Sequence, residues 1–274
     1  MKKYLNITKN AIVLFIVLGM FSCEKIVPAG VNFTEVTASG YESDGAQTVQ
    51  IDFTRAVESE ITIEVAFTGT ADYYAGSTLI TVPAGEITAN VNFELIDNGT
   101  YEPGVTKTVI IDLIGITGPG VDDAGFGTYT TYTYNVDEDD MKIDLEWTAS
   151  EGLSSDHDLD LYLHNNIVET QSSTSGSNNP ETVILRGSAT DQTYYTVSHY
   201  FGSIFSSTVQ VNYTITLNFP DGSTQSHSDT FTSLDKTDRT LWSISKSGVN
   251  YTAMQDPFGV NGRVEGTLII KDSK

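Results

Sequence analysis

The sequence is short of three things, and each shortage excludes something. It has a single cysteine, Cys23, in 274 residues. No intrachain disulfide can form, so stability has to come from packed apolar surface and, where charges gather, from bound ions. It has 14 Lys and Arg against 36 Asp and Glu, a formal net charge of −22. A polyanion of that size is repelled by phosphate backbones and by anionic lipid, which excludes nucleic acid as a partner. After residue 25 no stretch keeps apolar residues at a helical period through three turns, so the pattern is that of an all-β chain. The length suffices for two domains of ordinary size.

The one continuous apolar run, Ala11 to Phe21, is too short to cross a bilayer, which takes about 20 residues. It follows Lys2, Lys3 and Lys9 and ends at Gly19-Met20-Phe21-Ser22-Cys23. This anatomy resembles a bacterial lipoprotein signal. The resemblance implies that residues 1–22 are removed, that Cys23 is acylated, and that residues 23–30 form a tether to the outer membrane of a cell envelope, its surface or periplasmic face left open. A plain secretory signal with a stray thiol is the alternative. Loss of the three lysines takes the formal charge from −22 to −25. More than one acyl chain is needed for a stable hold.

Alternation of apolar and polar residues predicts strands at 47–54, 61–67, 90–96, 108–114 and 129–136, after a first strand opening at Val31 and Phe33. Turn chemistry separates them at Ser43-Asp44-Gly45, Pro83-Ala84-Gly85, Asn98-Gly99, Pro103-Gly104 and Gly118-Pro119-Gly120. The spacing fits an antiparallel two-sheet sandwich of roughly seven strands over residues 31–140. Strands at 142–148, 158–164, 182–187, 194–200, 209–219 and 263–271 predict a second sandwich over 141–274. Phe219-Pro220-Asp221-Gly222 marks a hairpin within it.

Acidic residues concentrate in two segments of the first half. Asp97, Asn98 and Glu102 occupy the turn after the fourth long strand, and Asp137-Glu138-Asp139-Asp140 closes the half about forty residues later. Folded together they would bring four to six carboxylates to one place. Two unit charges about 4 Å apart repel by roughly 1 kcal/mol in water and roughly 4 at an effective dielectric near 20. Such a cluster calls for a cation, and Ca²⁺ suits a flexible multi-carboxylate site better than Mg²⁺. The alternative is that these acids are solvated loop tips on an acidic protein.

Five segments resemble a Calx-beta domain, the sandwich of sodium–calcium exchangers and many bacterial surface proteins. They are Tyr41-Glu42, Gly69-Thr70-Ala71-Asp72-Tyr73, Val82-Pro83-Ala84-Gly85-Glu86, Ile96-Asp97-Asn98 with Glu102, and the acidic end Asn135 to Asp140. The resemblance implies calcium ligands at Glu42, Asp72, Asp97, Asn98, Glu102, Asp137, Asp139 and Asp140, with Glu138 inserted into the closing run. Asn98 stands where the family has an acid and Gly99 adds no charge, which implies fewer or weaker ions. No linker follows Asp140, so an ion held there would sit at, and stiffen, the joint between two sandwiches.

In the second half Asp156, Asp158 and Asp160 form a possible second metal site, in a strand resembling the Asp-x-Asp-Leu strand of secreted bacterial sandwiches. The competing reading is a solvated strand face. His157, His164, His199 and His227 lack zinc spacing, and neither a Gly-x-Ser-x-Gly elbow nor a phosphate-cradling loop occurs. An enzyme is not expected. Tyr194, Tyr195, Tyr200, Phe201, Phe205, Trp242 and Tyr251 can be read as core or as a platform for sugar rings. The expectation is a non-enzymatic, calcium-binding adhesion or interaction lipoprotein with an unnamed protein partner; the alternative is a glycan-binding accessory surface protein.

Overall fold

A computed structural model describes residues 28–165, 169–173, 178–203, 208–232 and 239–255. Among these residues there is no α-helix; three short 3₁₀ turns interrupt nineteen strands. The first ten strands are β1 (Ala29–Phe33), β2 (Thr37–Tyr41), β3 (Ala46–Phe53), β4 (Ile61–Gly69), β5 (Tyr73–Ala75), β6 (Leu79–Val82), β7 (Thr88–Leu95), β8 (Lys107–Thr117), β9 (Ala124–Phe126) and β10 (Thr131–Asp137). They form two five-stranded sheets, β5-β7-β3-β1-β9 and β2-β10-β8-β4-β6. Ten strands replace the roughly seven expected because β2, β5, β6 and β9 lie at sheet edges or are very short. Their burial does not alternate enough to leave a period in the sequence. Two edge pairings, β1 with β9 and β10 with β2, are parallel, so the sheets are not wholly antiparallel.

Alternation does its predicted work on the long strands. Val49, Ile51 and Phe53 of β3 meet Ile61, Ile63 and Val65 of β4 and Val91, Phe93 and Leu95 of β7 in one buried cluster. β1 starts two residues before Val31: Ala29 is buried and the Gly30 N–H donates to Thr54 Oγ1 at 2.7 Å, so the sheet claims the end of the expected tether. Cys23 and the segment before it lie outside the described residues, as does the expected strand at 263–271.

The remaining strands are β11 (Met141–Ala149), β12 (His157–His164), β13 (Glu169–Ser173), β14 (Glu181–Leu185), β15 (Thr193–Ser203), β16 (Gln210–Asn218), β17 (Thr224–Thr232), β18 (Arg239–Ser247) and β19 (Asn250–Gln255). They build sheets β14-β11-β16-β17 and β13-β12-β15-β18-β19 around a second buried cluster. This cluster is rich in aromatics: Phe231 stacks on Tyr213 with centroids 4.7 Å apart and on Tyr200 at 5.9 Å. The hairpin at Phe219–Gly222 forms as expected between β16 and β17, with Gly222 at φ 82° and the Gly222 N–H on Phe219 O. Only Glu138, Asp139 and Asp140 separate β10 from β11. The two cores therefore meet end to end across three acidic residues.

Candidate metal site at the joint between the sandwiches

Residues within a strand present alternate faces, and same-face neighbours stand about 6.6 Å apart. The Glu138-Asp139-Asp140 segment belongs to neither strand, and its side chains are free of that rule. All three are buried, and each offers a carboxylate oxygen within 4.8 Å of the others. Backbone donors fix Glu138: its Oε1 accepts the N–H groups of Asp139 at 3.1 Å and Asp140 at 2.8 Å, and its Oε2 accepts the Glu102 N–H. The Gly187 N–H from the second half donates to Asp140 Oδ1 at 2.8 Å. Ser43 Oγ donates to Asp139 Oδ2.

The first sandwich sends two further acids to this place. Glu42 is buried in the 3₁₀ turn Glu42–Asp44 that follows β2. Asp97, in the turn after β7, accepts Arg186 Nη1 at 2.8 Å and the Gly99 N–H at 2.9 Å on one oxygen, and the Ser188 hydroxyl at 3.0 Å on the other. A Cβ at Gly99 would overlap the Arg186 guanidinium, and one at Gly187 would overlap the Asp139 carboxylate. Gly99 sits at φ 66°, where a side chain would be strained, and Gly187 packs directly on the Asp139 carboxylate.

Two protein cations answer part of this charge. Lys107 Nζ bridges Glu42 Oε1, at 2.9 Å, and Glu102 Oε2. Burial alone would lower the lysine's pKa, but its hydrogen bonds to Glu102 and Glu42 leave it raised and the ammonium charged. Arg186 covers Asp97. Six acids (Glu42, Asp97, Glu102, Glu138, Asp139, Asp140) thus face two bases. The surplus shows in the carboxyl groups themselves. Burial, followed by the neighbouring Asp97, Glu138 and Asp139 charges, pushes Asp140 up to about 7. Asp139 and Glu42 are raised for the same first reason, each opposed by one hydrogen bond, from Ser43 and Lys107 respectively. Three buried oxygens, Glu42 Oε2, Asp139 Oδ1 and Asp140 Oδ2, have no hydrogen-bond partner. Unpaired buried carboxylate oxygens are costly unless a proton or a cation meets them. The donor set is all oxygen, without His or Cys, which fits a hard divalent ion and not zinc.

Not every expected ligand arrives. Asp72 and Asn98 are exposed and pair with each other, Asn98 Nδ2 donating to Asp72 Oδ2 at 2.7 Å, away from the buried acids. Asp137, the last residue of β10, still obeys strand alternation, points to solvent and accepts Thr106 Oγ1 at 2.9 Å. Glu102 is spent on Lys107. Conversely Lys107, Arg186, Ser43 and Gly187 were not anticipated. The available signal was scarcity: with 14 bases in the chain, each one beside an acidic turn is a candidate counter-ion.

The second cluster does not assemble as a metal site among the described residues. Asp156 caps its own turn, its Oδ2 accepting the Leu153 N–H at 2.7 Å. His157 is tied to Tyr200 and to the Glu151 carbonyl. Asp158 and Asp160 lie on one face of β12, but that face is not solvated: Asp160 is buried, hydrogen-bonded to the Tyr162 hydroxyl at 3.1 Å, and pushed up by burial to about 6. Most of the described sugar-platform aromatics are turned inward. Tyr194, Tyr200 and Trp242 are core residues, the Tyr251 hydroxyl donates to Asp139 O at 2.6 Å, and Phe205 lies outside the described residues. Among the described members of the set, Tyr195 is half-buried and Phe201 alone is strongly exposed.

No family model matches the chain, and no curated protein matches it. Among solved structures, its neighbours include Calx CBD domains. The apo form of the Calx CBD1 domain is 14% identical, with 41% of this chain and 98% of that one covered and a TM-score of 0.36. CBD12 from CALX1.2 is 11% identical over 66% of this chain and 80% of that one, also at 0.36. A two-domain protein of unknown function from Bacteroides fragilis is 10% identical over 87% of each chain, at 0.32. Scores below 0.5 leave the functional reading to the geometry of the joint.

Proposed function

We propose that the joint binds a divalent cation of the calcium type, and that the protein is a non-enzymatic envelope module whose two sandwiches are braced by that ion. The observation that supports this is the set of three buried, unpartnered carboxylate oxygens from Glu42, Asp139 and Asp140, in a cluster whose protein cations are too few. Glu138, Asp139 and Asp140 would hold the ion, with Glu42 and Asp97 beside them. The ion supplies positive charge and a cross-brace, and no catalytic group is needed for that role. Adhesion or partner binding at the cell surface, with Cys23 carrying the lipid, completes the reading.

Isothermal titration with Ca²⁺, paired with thermal melting, tests the site. Saturable heat and a raised melting temperature are expected for the wild type, because binding to the folded state alone stabilises it. Both should vanish in Asp139→Asn/Asp140→Asn. A wild-type melt unmoved by millimolar Ca²⁺ would end the proposal. Metabolic labelling with a palmitate analogue, lost in Cys23→Ser, tests the tether separately.

A further inference from the structure

A cleft of about 450 Å³ opens beside the acidic cluster, where three turns from the two sandwiches meet. Gly104, Val105 and Thr106 line it from the first sandwich, the β16–β17 turn from one side, and the β18–β19 turn from the other. Two tyrosine hydroxyls pin its walls: Tyr101 donates to Phe219 O at 2.7 Å and Tyr251 to Asp139 O at 2.6 Å. Its charge has one sign. Asp137, Glu138 and Asp221 line it, and among the described lining residues there is no Lys, Arg or His. Its remaining surface is mixed: Thr106 and Asn250 are polar, while Tyr41, Val249 and an exposed Val105 supply aromatic and apolar area.

We infer that this cleft is a binding site for an organic cation, an alkylammonium or guanidinium group carried on an apolar stem. The stem packs on Val105 and the rings, while the charged head meets Asp137 and Asp221. The two carboxylates differ from the buried cluster in being exposed and unneutralised by a protein base. The Asp221 carboxyl is held below its usual value by hydrogen bonds from Ser223, so it stays ionised. Lys246 lies 5.9 Å from the Tyr251 ring, but it is bonded to Asp191 and to Gly248 O and does not neutralise the cleft acids. Carboxylates at the mouth of a concave, low-dielectric surface concentrate cations there. The size suits one basic side chain of a partner polypeptide or one free polyamine. The site adjoins the ion-binding cluster and shares Glu138 with it, while Asp137 and Asp221 are the cleft's own carboxylates.

The test uses the full chain in chelator, so that ion binding at the joint does not contribute. Two probes are titrated: spermidine, and a blocked peptide with one central arginine and no other charge. Saturable binding of at least one is expected, weakened about tenfold or more in Asp137→Asn/Asp221→Asn, as for removal of direct partners of a charged group. A control pair of exposed acids away from the cleft, Glu86→Gln/Asp122→Asn, should leave the affinity unchanged. Preference for the peptide identifies a protein side chain as the ligand, and preference for spermidine identifies a free polyamine. Binding of neither probe overturns the inference. So does equal weakening by the cleft and control pairs, which would reduce the effect to the net charge of the surface.

Discussion

The two sandwiches bury acidic side chains in opposite ways. In the first, acids from three separate segments, the turn after β2, the turn after β7 and the run after β10, gather at one end, and Glu138, Asp139 and Asp140 of the last lie within reach of a single ion. In the second, Asp158 and Asp160 stand two residues apart on one strand, beside Glu181 and His199, and among the described residues they form no group within reach of one ion. A strand spaces same-face carboxylates by about 6.6 Å and holds them parallel. A turn lets consecutive residues fold around a point. Number of acids is therefore a poor guide to a metal site, and the backbone that carries them is a better one.

The comparison breaks first at Lys107. Lys107→Met leaves buried Glu42 without its counter-charge and should cost about 3–5 kcal/mol in chelator, as for removal of one partner from a buried pair. Calcium should restore part of it. Urea melts read both numbers, and a variant as stable as wild type in chelator would show that the ammonium is dispensable.

The next effect is one of pH. Carboxyl groups in the unfolded chain titrate near 4, whereas Asp140 in the folded state titrates at about 7. Between those values the folded protein holds a proton that the unfolded chain has lost. The Asp140 contribution to stability in chelator is thus greatest at the acid end and falls as pH rises from about 4 to about 7, by on the order of a few kcal/mol, then levels. Asp160, at about 6, adds in the same direction. Calcium should flatten the part due to Asp140 and leave the part due to Asp160, and melting temperature against pH with and without the ion separates them.

Smaller and sharper is the pair of single substitutions. Asp140→Asn should raise chelator stability by about 1–2 kcal/mol, because it removes a buried charge that its neighbours repel, and should erase the calcium response. Asp160→Asn should leave that response intact. Loss of the response in both would mean that the second cluster takes part after all. Smallest is Arg186→Gln. Its bridge to Asp97 is half exposed, so stability should change by about 1 kcal/mol or less. Solution scattering in chelator should nevertheless show a broader distribution of distances between the sandwiches.

Much of the fold was legible because the long strands alternate: the inward residues of β3, β4, β7 and β8 are those the pattern selects. Edge strands such as β2, with no fully buried side chain, left no period to read. The site was legible in part for a similar reason. Glu138 to Asp140 announced itself as a run and Asp97 as a turn acid, but what Asp72, Asn98 and Asp137 do is decided by which way each loop turns. Lys107 was hidden as the first residue of an apolar strand, and Arg186 became part of the site only through a contact made across the joint.

The chain crosses from one sandwich to the other once among the described residues, through Glu138, Asp139 and Asp140. Traction between an anchored end and a bound partner would therefore load that short segment in tension. The Arg186–Asp97 bridge and the Tyr101 and Tyr251 hydrogen bonds share the load in parallel. On the proposed reading, a cation held by the carboxylates at that point would add its own resistance to extension before either core begins to yield.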